Sequence, residues 1–297
     1  MNPWISVFIF LIVLILLNEF ARLNKWTGIL VYIVLPTVLF FTNYYSNIKD
    51  GMYPWFTIAK TYSALAGCIG FLAIRYWDKA KNSSFRMWFP PLILAINIME
   101  AVVSDFQAFS RPNGIQYAMQ IIHGGPYNIM NAIAGILNIL TICGWVGICV
   151  SKGKKKDMLW PDMLWFWIIA YDVWNYCYTL QWGDSPYSGL ALLLSCTIPT
   201  FLWSKGAWLE NRASTLGIFM TFAMIDPTYC SWENTLLPLP YLPNETLYYV
   251  VASLSLAINV VVFIYQLCVI RRKKLNPFKD ELYIDKKAYK AVKALAE

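Results

Sequence analysis

The chain has 297 residues, 58% hydrophobic and 14% charged, with a mean hydropathy of +0.48. A soluble domain is about 45–50% apolar and about 25% charged, so this composition excludes that class and indicates a polytopic membrane protein. The net charge of +7 is mostly local, because residues 271–297 hold nine Lys/Arg against four Asp/Glu, and a short basic tail of this kind implies no nucleic-acid partner.

The chain opens with MNPWISVFIFLIVLILL, which lacks the basic n-region and cleavage site of a signal peptide and is expected to remain as a first helix. Windows of about 20 apolar residues, enough to cross about 30 Å of hydrocarbon, fall at 3–21, 27–45, 55–76, 87–109, 126–150, 159–181, 187–204, 209–227 and 246–270. The expected fold is therefore an all-α transmembrane bundle of about nine helices over residues 1–270. The basic tail, 271–297, follows it as a solvated segment or as an amphipathic helix on the membrane or the protein.

Orientation follows from the basic residues. With the amino terminus outside, 21 of the 24 Lys/Arg fall on the inner side, and only Lys49, Lys60 and Arg111 do not. Positive charge concentrates on the cytoplasmic side of membrane proteins, so the carboxyl terminus is expected there. Fourteen Trp and 19 Tyr suit aromatic belts at both interfaces. Two outer loops stand out: SRPNGIQYAMQIIHGG, with the only histidine, His123, ahead of Pro126, and the proline-rich SWENTLLPLPYLPNE. The first reads as a turn before a helix or as a short lid, the second as an extended cap.

The stretch WPDMLWFWIIAYDVWNYCYTLQW carries an acid, Asp172, near its middle. A carboxylate at that depth costs about 2.5–3.5 kcal/mol on insertion scales, so it is expected to face the bundle interior or a wet cavity. At about 100° per residue, Trp165, Asp172, Asn175, Tyr176 and Thr179 share a face. Glu100 and Asp172 each lie 13 residues beyond the inner start of their spans, about 20 Å from the inner edge. Asn131 and Lys60 reach a similar level from the other side. Asn97 accompanies Glu100, while Asn128, Asn131 and Asn138 form a stripe on the fifth span. These residues make up an expected solute site in the outer half of the membrane: Lys60, Asn97, Glu100, Asn128, Asn131, Asn138, Trp165, Asp172, Asn175 and Tyr176. Lys60 is expected to pair with Glu100 or Asp172, whereas Asp105, about 140° round the helix from Glu100, is left out. Glu19, Arg22 and Asp162 are placed near the inner interface, where charge is cheap.

Two classes of function remain open. Polar stripes that face each other build solute sites, so the chain reads as a transporter or binder of a small polar or cationic solute, with Trp165 and Tyr176 adding cation–π attraction. The same residues in a sensor or assembly protein would simply hold helices together. A membrane enzyme has less to stand on, since there is no HExxH, GxSxG or glycine-rich phosphate loop. The cysteines lie in apolar runs apart from Cys230 and form no CxxC pair. They read as packing residues, and neither a metal nor a cofactor is expected.

The runs KTYSALAGCIGFLAIR, FPPLILAINIMEAV, GGPYNIMNAIAGILNILTICGW, WPDMLWFWIIAYDVWN and GLALLLSCTIP resemble an uncharacterised bacterial family of polytopic membrane proteins, a domain of unknown function of the DUF5692 type. The resemblance covers most of residues 1–270 and leaves the tail outside. It implies a bacterial cytoplasmic membrane and supplies no activity, substrate or site residue.

Overall fold

A computed structural model describes residues 3–111, 115–117, 120–181, 186–227 and 244–296. Among these, long helices occupy all nine apolar windows: α1 (Pro3–Ala21), α2 (Lys25–Lys49), α3 (Trp55–Tyr76), α4 (Phe85–Phe109), α5 (Pro126–Leu140), α6 (Trp165–Gln181), α7 (Pro186–Leu202), α8 (Trp208–Ile225) and α9 (Glu245–Lys273). The fold is all-helical apart from two short hairpins. Five of the helices, α1 to α4 and α9, are long and apolar enough to cross a membrane.

The helices form a ring with three additions. Around the ring α3 packs on α4, α4 on α5, α5 on α6, α6 on α7, α7 on α8, and α8 closes back onto α3. Outside it, α1 lies against α7 and α8, α2 against α3 and α8, and α9 against α5 and α6. Hydropathy follows this plan. The outer helices α1 and α9 are the most apolar and only 33% buried, because side chains facing lipid must be hydrocarbon. Helix α8 carries Glu210, Asn211, Arg212, Ser214 and Thr215, all buried against neighbours, and the polarity that keeps it from scoring as a span is what its ring position uses.

Local sequence sets several details. Pro36 has no N–H to donate, and α2 accommodates it with π-helical turns over Leu30–Val34 and Phe40–Tyr44. Pro126 sits in the first turn of α5, where no donor is needed, and the preceding Gly125 N–H donates to Asn128 Oδ1 at 2.7 Å. Gly135 lets α5 approach its neighbours closely: a Cβ there would stand 2.6 Å from Val102 and 2.8 Å from the Trp174 indole nitrogen. At 29 residues, α9 is about 44 Å long, more than the roughly 30 Å thickness of a bilayer's hydrocarbon core.

The bounds of two windows need correction. The fifth and sixth spans are shorter than their apolar windows, since α5 stops at Leu140 and α6 begins at Trp165. The residues between turn at Gly144, which has φ +68°, and form a small hairpin, β3 (Cys149–Val150) with β4 (Met158–Leu159). Ile148, Met158, Leu159 and Trp160 are buried in protein there, an environment that hydropathy cannot tell from lipid. In the tail, Leu282, Tyr283, Tyr289 and Val292 are buried, and α10 (Lys287–Lys293) lies against the bundle. The segment before α5 contains an antiparallel hairpin, β1 (Ile115–Tyr117) with β2 (Gln120–Ile122). The proline-rich cap lies almost entirely outside the described residues.

Candidate functional site in the helix ring

The ring holds its polar side chains in three groups. The first joins α3 to α4. Lys60 Nζ lies 2.7 Å from Glu100 Oε2 and donates to the Asn97 carbonyl at 2.7 Å, while Ser63 Oγ donates to the same Glu100 oxygen at 3.1 Å. Of the two expected partners for Lys60, the structure selects Glu100. Lysine reaches it because residues 60 and 63 share a face of α3 and residues 97 and 100 share a face of α4.

The second group joins α6, α7 and α8. Arg212, 5% exposed, donates from Nε to Tyr171 Oη at 3.3 Å and from Nη2 to Asn175 Oδ1 at 3.1 Å. Asp172 Oδ2 accepts from Thr197 Oγ1 at 2.7 Å, and Trp208 Nε1 donates to the same hydroxyl at 3.1 Å. Two buried atoms are left over: Arg212 Nη1 and Asp172 Oδ1 have no hydrogen-bond partner among the described residues. An unmet guanidinium donor inside a bundle costs free energy unless water or a ligand meets it. Arg212 also lines a cavity between α3, α4, α6 and α8, bounded by Ser63, Gly67, Asn97 and Tyr171. Its volume is about 20 Å³, room for one or two waters.

The third group ties α5 to α4 and α9. Asn131 Nδ2 donates to Asp105 Oδ2 at 2.9 Å, Ser255 Oγ donates to Asn131 Oδ1 at 3.1 Å, and Trp174 Nε1 donates to the Asn131 carbonyl at 3.0 Å. The Asn128 side chain also lies close to Asp105.

The ten expected site residues are thus divided. Lys60, Asn97 and Glu100 meet, and so do Asp172 and Asn175 across Arg212 and Thr197. Asn128 and Asn131 turn to Asp105, the residue that was set aside. Asp105 does lie on another face of α4, but that face is covered by α5 and is fully buried. Asn138 is buried with both amide atoms unbonded among the described residues. Tyr176 is half-buried beside the small α5–α9 core. Trp165 is 62% exposed on the outside of the bundle and takes no part in the cavity. Arg212 was passed over because it counted as one more inner basic residue. Its signal was its place inside a helix, between Asn211 and Ser214.

A second charged cluster lies at the end of the ring near the tail, where charge is not cheap at all. Arg22, 1% exposed, lies 2.8 Å from Asp157 and 3.5 Å from Glu210, and Arg75 Nη1 lies 2.7 Å from Glu210. Glu210 Oε2 also accepts the Met158 N–H at 2.7 Å, so the β3–β4 hairpin is bound into the cluster. Burial alone would lower the Arg22 pKa; Glu210 and Asp157 outweigh it and raise it, keeping the guanidinium charged. Glu19, the third residue placed at this interface, pairs with Lys155. Asp162, 3% exposed, accepts N–H groups from Leu282 at 2.6 Å and Tyr283 at 3.1 Å, fastening the tail. Burial pushes its carboxyl up to about 6, against those two N–H groups, which pull it down.

The sequence model of a family described as "Family of unknown function (DUF5692)" matches residues 1–295. The chain belongs to this family. The match runs through the tail, which the resemblance had left outside, and agrees with a tail packed on the ring. No curated protein and no solved structure matches the chain.

Proposed function

We propose that this DUF5692 protein is a nine-span protein of a bacterial cytoplasmic membrane, with its amino terminus outside, and that its helix ring binds or passes a small polar solute. The observation that carries the reading is Arg212: a buried guanidinium with one unmet donor, lining a small and mostly apolar cavity that Ser63, Asn97 and Tyr171 also border. A helix at each of the nine apolar windows, five of them long and apolar enough to cross a membrane, and the one-sided basic residues support the topology. The charge of the solute differs from the sequence expectation. Lys60 and Arg212 both lie near the cavity, and Glu100 is already paired, so a bare cation would be repelled. A solute that offers an acceptor to Arg212 Nη1 and a donor to Asp172 Oδ1, as a small zwitterion does, would meet both unbonded atoms in a ring opened beyond the present cavity, which has room for one or two waters and is not lined by Asp172.

The test is thermal unfolding of the purified protein with a panel of small zwitterionic, anionic and cationic solutes, repeated with Asp172→Asn and Arg212→Gln. Stabilisation of wild type by a zwitterion, lost in both variants, supports the pocket. A response to cations alone, or equal responses in wild type and variants, overturns it. The second reading, a non-transporting sensor or assembly protein, is favoured by the close Lys60–Glu100 pair, which locks α3 to α4 with no solute involved.

A further inference from the structure

A large groove lies away from the ring, where α6, α9 and the tail meet. It has a volume of about 550 Å³ and is walled by Leu164, Trp165, Phe166, Val261, Val262 and Tyr265, with Lys286 and Lys287 at its rim. Trp165 is 62% exposed and Val261 65% exposed, so the groove opens onto the surface that faces lipid in a membrane protein. Its level can be placed. Trp165 begins α6, exposed Trp marks headgroup depth, and α9 continues past Val261 toward Arg271 because it is longer than the hydrocarbon is thick. Lys286 and Lys287 therefore stand at the headgroup level with an apolar slot beneath them.

Their charge is not spent inside the tail. Asp285 is held by Lys273, Asp280 accepts the Asn276 N–H at 2.6 Å, and Glu281 accepts from Tyr289 Oη at 2.6 Å and lies 3.7 Å from Lys293. The described acids of the tail thus have other partners, and both rim lysines are exposed.

We infer that this groove holds an anionic phospholipid, its phosphate on Lys286 and Lys287 and its acyl chain between Trp165, Val261 and Tyr265. The inference rests on the membrane reading but is independent of the solute pocket. A basic side chain near an anionic surface contributes about 1 kcal/mol; two of them give roughly thirtyfold preference over a neutral headgroup. An occupant bridging α6, α9 and α10 would also hold the tail in place, which gives the lipid a structural consequence that thermal unfolding can read.

The experiment uses the full chain in detergent, titrated with phosphatidylglycerol or with phosphatidylcholine of the same acyl chains. Lipid retention is followed by native mass spectrometry, and unfolding is followed in parallel. Phosphatidylglycerol should be retained roughly thirtyfold more strongly and should raise the unfolding temperature. Lys286→Ala with Lys287→Ala should abolish the preference. Val261→Trp, which fills the slot and leaves both charges, should reduce retention of either lipid, and Lys279→Ala with Lys290→Ala should change neither. Equal retention of the two lipids, a preference that survives the rim double variant, or the same stabilisation from inorganic phosphate alone would each overturn the proposal.

Discussion

Lys60 and Glu100 form a 2.7 Å ion pair between α3 and α4, with side chains only 10% and 12% exposed. Breaking such a pair from one side leaves a buried charge alone, whereas replacing both partners removes the problem. Lys60→Met should therefore destabilise the protein by about 3–5 kcal/mol, and adding Glu100→Leu should recover most of the loss. Equilibrium unfolding of the three variants checks this; a double variant no better than the single one would show that the pair does more than lock two helices.

Asp172 is bonded to Thr197 rather than to Lys60, so Lys60→Met should not rescue any defect of Asp172→Asn. The two changes should be additive within about 0.5 kcal/mol. A coupling above that, measured in a double-mutant cycle, would mean that the two side chains exchange partners in solution.

At the tail end, Glu210 serves Arg22, Arg75 and the Met158 N–H together. Glu210→Gln should cost more than a surface ion pair, about 3 kcal/mol or more, because two buried guanidinium groups lose their carboxylate. It should also loosen the β3–β4 hairpin, detected as faster hydrogen exchange of the Met158 amide; unchanged exchange would place the hairpin's anchor elsewhere.

Tail docking should depend on pH through Asp162. Its carboxyl is raised to about 6 in the folded protein, above an ordinary value of about 3.9. The neutral form is thus the one folding favours. This contribution is complete below the ordinary value and is lost as pH rises through about 6. The loss is at most about 3 kcal/mol. Amide exchange at Leu282 and Tyr283, corrected for the intrinsic rate, should show weaker protection at pH 7 than at pH 5. Asp162→Asn should flatten the difference; protection that strengthens toward pH 7 would reverse the sign of the argument.

Topology can be read directly. In a background lacking Cys230 and Cys268, a membrane-impermeant thiol reagent applied outside should label a cysteine at Asp50 and not one at Lys154, both exposed positions. The reverse pattern would invert the proposed orientation, and labelling of both would break the alternation of nine spans.

Composition and hydropathy by themselves determined that the chain is an all-helical bundle and roughly where its helices lie, though not that the fifth ends at Leu140 and the sixth begins at Trp165, because transfer of apolar side chains out of water is a local, additive quantity that a window of sequence records. The same pattern placed Lys60 and Glu100 at one level. Only the tertiary structure decided which polar residues meet. Helical periodicity gives the face a residue occupies but not which neighbour covers it, so Asp105 lay on a face that sequence alone could not show to be buried by α5, and Trp165 on one that nothing covers. Arg22 read as an interfacial charge and Arg212 as one more inner basic residue until α3, α6, α8 and the β3–β4 hairpin closed around them. The cost of burying a charge depends on partners brought together from distant parts of the chain, and that information exists only once the ring has closed.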